Sequence, residues 1–334
     1  MQFTYIILIF LSIFIFLSNC TKKKNNPYAI PVTISAPADN AINPQRIELG
    51  KNLYFDPRLS GSNWISCASC HNPSLGWSDG LPTGIGHGFG KLGRNSPTIV
   101  NTALNFLQFW DGRSPSLEDQ AAGPIASPGE MNQDFNELIK ELEAISGYRE
   151  MFEKAYPGQG ISKETITKAI ATFERTIISK DSPFDRWMEG DESQVSESAK
   201  KGFALFVGKA KCAVCHSGNN FSDNGFHNIG IKSLDGKQDE GRFALVPVKV
   251  MKGAFKTPTL REIALSGPYM HNGIYKTLDE VVEHYNRNGD VRDNLSPNMQ
   301  GPLNLTDSEK KDLVEFLKTL TGRPIQITLP ILPQ

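Results

Sequence analysis

Apolar residues recur at helical spacing along most of the chain. Phe135, Leu138, Ile139, Leu142 and Ile145 form one such set, and Ile166, Ile170, Phe173 and Ile177 form another. Asn43-Pro44 supplies a start signal for a helix running to Tyr54, with proline at its first position. Thr277-Leu278-Asp279-Glu280 and Thr306-Asp307-Ser308-Glu309 are capping boxes. The second opens a helix whose apolar face is Leu313, Phe316, Leu317 and Leu320, ended by Gly322 and Pro324. Behind the first box, Leu278, Val281, Val282 and Tyr285 fall on one face, which places Tyr285 inward and turns His284 elsewhere. Alternating strand patterns are scarce. The pattern predicts a mainly α protein with two helical domains, 44–185 and 186–328, joined near Lys180 to Gln194. Gly76 to Pro97 breaks the pattern: it carries seven glycines with no helical or strand period, and loops of this length are often functional.

The N-terminus has a different texture. Tyr5 to Leu17 is nearly unbroken Ile, Leu and Phe, too short for a membrane span of about 20 residues and right for the core of a secretory signal. Leu17-Ser18-Asn19-Cys20 follows as a relaxed lipoprotein box, so residues 1–20 read as a signal peptide with Cys20 lipidated; an uncleaved anchor is the alternative. Either places the remainder outside the cytoplasm, in the periplasm or cell envelope, with membrane contact only through that end. Residues 21–43, rich in Lys, Asn and Pro towards their start, read as a flexible leash. The 334 residues carry a formal net charge of −1, which offers no electrostatic case for a nucleic-acid partner.

Five cysteines are present, and four of them form two C-x-x-C pairs, each followed directly by histidine: Cys67-Ala68-Ser69-Cys70-His71 and Cys212-Ala213-Val214-Cys215-His216. This is the haem-attachment sequence, in which two thiols bond the porphyrin and the histidine lies beneath the iron. A zinc site would gather four ligands into one place, and a redox disulfide gives no reason for a histidine after both pairs. Two covalent c-type haems are therefore expected. Of the remaining histidines, His87 stands out, because it sits on the glycine-rich loop close to the first motif, where it can reach the far side of an iron and also leave it.

Beyond these motifs the chain resembles the bacterial dihaem cytochrome c peroxidases from about Ile47 to Gly322. The resemblance rests on Gly86-His87-Gly88, Arg94-Asn95-Ser96-Pro97-Thr98, Gln108-Phe109-Trp110-Asp111-Gly112-Arg113, Gly123-Pro124-Ile125 and Gly129-Glu130-Met131. It continues in Thr257-Pro258-Thr259-Leu260-Arg261 and Pro268-Tyr269-Met270-His271-Asn272-Gly273, all in family order. The resemblance implies two cytochrome c-like helical haem domains, the first peroxidatic and the second relaying electrons. It implies that His71 and His216 are proximal iron ligands and that His87 is a distal ligand that departs on activation. Glu130 matches the distal acid-base carboxylate, and Trp110 the aromatic residue between the haems. Asn95, with the carbonyls of Ser266 and Pro268, matches a calcium site.

One position departs from the family. Where classical members place the distal methionine of the second haem, this chain has Tyr285, as do the dihaem enzymes that mature a quinone cofactor in methylamine dehydrogenase. Met299 and Met270 are alternative ligands. The expected activity is reduction of hydrogen peroxide to water with electrons from a small cytochrome c or cupredoxin, with homodimerisation as in relatives. The rivals are a protein-modifying oxidase, supported by Tyr285, and a pure electron carrier, which would need none of Glu130, Trp110 or His87.

Overall fold

The structure, a computed structural model, describes residues 26–334. The signal-peptide and Cys20 readings lie outside those residues. Among the described residues ten α-helices carry the fold: α1 (Pro44–Phe55), α2 (Cys67–Cys70), α3 (Leu117–Ala126), α4 (Phe135–Ala144), α5 (Ser146–Ala155), α6 (Lys163–Glu174), α7 (Pro183–Met188), α8 (Glu197–Val207), α9 (Leu278–Asn286) and α10 (Asp307–Lys318). The sheet content is one antiparallel pair of two-residue strands, β1 (Phe226–His227) and β2 (Phe255–Lys256), with Phe226 opposite Lys256. No helix among the described residues is long and apolar enough to cross a membrane.

The start signals act as their chemistry requires. Asn43 caps α1 by accepting the Arg46 amide at 2.9 Å, and the Thr277 and Thr306 boxes open α9 and α10. The apolar set from Phe135 to Ile145 belongs to a helix that stops at Ala144. Ile145 is extended, and α5 starts at once on Ser146 and Gly147, both weaker helix formers than the residues around them. Helix α10 ends at Lys318, one turn before Gly322; Leu320 is nevertheless fully buried.

Two separate apolar cores form. The first gathers Leu49, Leu53, Tyr54, Leu138, Phe152, Ile166, Ile170 and Phe173; the second gathers Phe184, Phe206, Phe221, Val282, Leu313 and Phe316. Phe184 packs in the second core, although the sequence reading closed the first domain at residue 185, and the joining region itself folds as α7. Each core is built on a helix crossing sealed by glycine. A Cβ on Gly50 of α1 would lie 1.9 Å from the carbonyl oxygen of Ala169 on α6, and one on Gly202 of α8 would lie 1.9 Å from that of Asp312 on α10. Only a hydrogen at the α-carbon allows the helices this close.

The two ends of the described chain lie across the opposite domains. Tyr28, inside the segment expected to be a free leash, stacks on Phe221 of the second core at 5.0 Å, and its carbonyl accepts from Arg261 at 2.7 Å. Asn40 is fully buried and hydrogen-bonds Glu118 and the Lys168 carbonyl. At the other end, Ile325 and Ile327 pack on the first core, and the Pro333 carbonyl accepts from Arg58 at 3.0 Å. Composition pointed to a leash because polar residues dominate it; two aromatic and amide anchors override that average.

Candidate functional site

A continuous cavity of about 870 Å³ runs between the domains. Both cysteine motifs open onto it, and each forms the same turn: the His71 amide donates to the Cys67 carbonyl at 2.9 Å, and the His216 amide donates to the Cys212 carbonyl at 2.9 Å. One turn thus presents two thiols and an imidazole to the same space. No disulfide joins any of the four cysteines. Burial pushes Cys70 up to about 11 and Cys212 up to about 12, so neither is the lowered, activated thiol of a redox motif. Nor do they converge as a zinc site would. Among the described residues the one cluster of three metal-capable groups is Cys215, Asp223 and His227, which draws on a single cysteine.

Burial lowers the pKa of both His71 and His216, which keeps the imidazoles neutral, the form that ligates metal. His216 Nδ1 lies 2.9 Å from the Phe221 carbonyl, so Nδ1 carries the proton and Nε2 is left as the donor to a metal. The His71 backbone carbonyl accepts from the Tyr54 hydroxyl at 2.9 Å, and the Trp77 and Pro97 carbonyls lie against its imidazole.

On the first domain's side Glu130 lines the cavity from the turn after α3. His87 does not line it, though its neighbour Gly86 does. The His87 amide donates to the carbonyls of Gly129 at 3.1 Å and Glu130 at 2.9 Å, and its buried Nδ1 has no partner. The glycine-rich loop is therefore tied by its backbone to the residue it was expected to work with.

Trp110 lines the cavity where the domains meet. Its indole N–H donates to the Asn95 carbonyl at 2.9 Å, and its own carbonyl accepts from the Lys256 amide at 2.8 Å. Arg94 closes this junction, reaching Asp111 at 2.6 Å and Asp239 at 2.7 Å. Asn95, Ser266 and Pro268 all line the cavity. The Asn95 amide nitrogen donates to the Leu81 carbonyl at 2.9 Å, and its amide oxygen has no donor among the described residues. An uncommitted amide oxygen near backbone carbonyls is chemically suited to a hard cation.

On the second side, Leu278, Val281, Val282 and Tyr285 of α9 all face the cavity, as their helical phase predicts. His284 is fully buried away from it, between the Tyr275 hydroxyl at 3.0 Å and the Ile229 carbonyl at 2.9 Å. Burial, aided by Cys212 and Cys215, raises the Tyr285 phenol well above its ordinary value, so within the protein alone it stays neutral. Its hydroxyl makes no hydrogen bond among the described residues; Met299 and Met270 line the same cavity.

Two further cavity residues escaped the sequence reading. Glu174 is 5% exposed and lies one turn beyond Ile170 on α6, so its helical phase was a usable signal. Lys256 is 7% exposed and directly precedes the Thr257-Pro258-Thr259 motif.

Two Cys-Cys-His turns, each closed by a histidine amide on the first cysteine's carbonyl and facing one apolar-walled cavity, with neutral imidazoles presented from both domains, define a dihaem c-type cytochrome. Comparison with known proteins agrees. Residues 44–193 match the family described as Di-haem cytochrome c peroxidase, and residues 199–321 match Cytochrome c. The chain is 46% identical over 304 residues to Methylamine utilization protein MauG of Methylorubrum extorquens, covering 91% of this chain and 86% of that one. It is 39% identical over 293 residues to Cytochrome c551 peroxidase of Nitrosomonas europaea, covering 87% and 84%. The fold superposes on the crystal structure of a MauG-like protein associated with microbial copper homeostasis with TM-score 0.79 at 32% identity, covering 90% of this chain and 95% of that one. The chain therefore belongs to the di-haem cytochrome c peroxidase and MauG family, whose members carry two haems.

Proposed function

We propose that this protein is a cell-envelope peroxidase that reduces hydrogen peroxide to water, with electrons delivered one at a time by a small cytochrome c or a cupredoxin. The observation that carries the reading is Glu130, a carboxylate on the wall of the cavity that His71 also lines, hydrogen-bonded through its backbone to the His87 loop. Splitting peroxide needs a group that takes a proton from the near oxygen and returns one to the departing oxygen, and a positioned carboxylate does both. Cys67, Cys70 and His71 would hold the first haem, which would supply the redox metal for peroxide cleavage. His87 would be a displaceable ligand to that metal; in the conformation described here it does not line the cavity. Trp110 lies where electrons must pass between domains. Asn95, Ser266 and Pro268 hold a calcium ion that joins the His87 loop to the second domain, and Cys20 tethers the protein to a membrane. Homodimerisation belongs to the same reading.

A second reading, oxidation of a protein substrate, is favoured by two observations: Tyr285 stands in the second pocket, and the chain is 46% identical to a MauG protein. Steady-state oxidation of reduced cytochrome c or a reduced cupredoxin by peroxide separates the two. Sustained turnover is expected. Absence of turnover with either donor, in protein carrying both haems, overturns the peroxidase reading.

A further inference from the structure

Four lysine or arginine side chains are buried in the described chain: Lys168, Arg175, Arg261 and Lys256. Three have carboxylate partners. Lys168 reaches Asp39 at 2.8 Å and Glu164 at 2.5 Å, Arg175 reaches Glu118 at 2.8 Å, and Arg261 reaches Asp185 at 2.7 Å. Lys256 has none. Its ammonium touches the Thr257 carbonyl at 3.5 Å, the outer limit of a hydrogen bond. Asp223, the carboxylate whose charge bears on it, is turned to His227 at 2.8 Å.

The position of Lys256 is fixed by its backbone. It pairs with Phe226 across the β1–β2 ladder, and its amide donates to the Trp110 carbonyl at 2.8 Å. That anchorage holds the side chain on the cavity wall where the domains meet. A buried ammonium with no counter-ion costs several kcal/mol. Burial accordingly drags its pKa down to about 8. The missing anion must come from whatever fills the cavity. Haem carries two propionate carboxylates, the one anionic part of an otherwise apolar macrocycle.

We propose that Lys256 is the buried counter-ion of a propionate of the second haem, beside Trp110. The second haem is specified because β2 runs directly into Thr257 and Pro258, and the Pro258 carbonyl lies against His216. The pair would anchor that haem by a carboxylate and set the charge that its iron experiences. The inference rests on the two-haem assignment and is independent of whether peroxide or a protein is the substrate.

The test is spectroelectrochemical titration of the holoprotein and of the Lys256→Met and Lys256→Arg variants, in neutral buffer, where a propionate is ionised and Lys256 keeps its proton. Removing the cation leaves the propionate uncompensated and favours ferric iron. In Lys256→Met the second haem should therefore become tenfold or more harder to reduce, a fall of about 59 mV or more for one electron. Lys256→Arg should stay near wild type. If Lys256→Met carries both haems and both potentials match wild type, the proposal is overturned. Where Lys256→Met loses the second haem, Lys256→Arg decides: retention of haem supports the charge role, and loss in both variants shows a packing role and overturns it.

Discussion

The two haem domains are one plan executed twice, with different walls. In both, a glycine lets two helices touch: Gly50 meets Ala169 and the Phe173 side chain, and Gly202 meets Asp312 and the Phe316 side chain. Matching those crossings residue for residue sets Ile170 against Leu313 and Glu174 against Leu317, and all four line the cavity. The first pocket thus has a buried carboxyl where the second has leucine. The far walls differ more. The first faces Glu130 and a glycine-rich loop tied to it by backbone hydrogen bonds, and the second faces the rigid helix α9 through Tyr285. The shared scaffold explains why both can hold a haem. The differences concentrate carboxyl groups, Glu130 and Glu174, in the first pocket, where the second has leucine and a phenol.

The strongest way to break the comparison is at the crossings. Gly50→Ala and Gly202→Ala should each destabilise the protein by about 4 kcal/mol or more, since the added carbon collides with backbone that has no room to yield. Thermal unfolding of both variants checks this, and a tolerated change at either site would show that the crossings are not equivalent. Next in size is Glu130→Gln, which should lower peroxide turnover by about 10²–10⁴-fold while both haems remain attached. Near-normal activity in loaded protein removes Glu130 from the chemistry.

Tyr285→Met sharpens the contrast between the distal walls. An anionic oxygen donor favours oxidised iron and a thioether favours reduced iron, so the substitution should raise the second haem's potential and introduce a thioether spectral signature. A wild-type protein that already shows that signature has Met299 or Met270 as its ligand. The smallest effect expected is at Glu174. Burial pushes its carboxyl up to about 8, from an ordinary 4.5. Between those values the native state keeps a proton that the unfolded chain releases, so this group makes stability fall as pH rises from about 4.5 to about 8. Glu174→Gln should flatten that slope in urea unfolding measured across the range. An unchanged slope would assign the pH dependence to other groups.

Local chemistry was legible without coordinates. The two Cys-Cys-His turns, the Asn43 and Thr capping signals and the inward phase of Tyr285 depend on residues a few positions apart, and the structure places each as read. Glu130, Trp110, Asn95, Ser266 and Pro268 were marked by resemblance, and the fold brings all of them to one cavity. The side-chain position of His87 was not legible, because a loop rich in glycine does not dictate where one imidazole turns. Nor was the fate of residues 26–43, where Tyr28 and Asn40 are anchored by partners more than a hundred residues away.

By itself the sequence determined the haem count, the helical class and the inward phase of Tyr285, because covalent attachment and helix periodicity are short-range properties. Only the tertiary structure decided that both haem motifs share one cavity, that each end of the described chain braces the opposite domain, and that Lys256 is buried without a partner. Burial and charge pairing are long-range outcomes, set by which surfaces close on one another, and no window along the chain contains them.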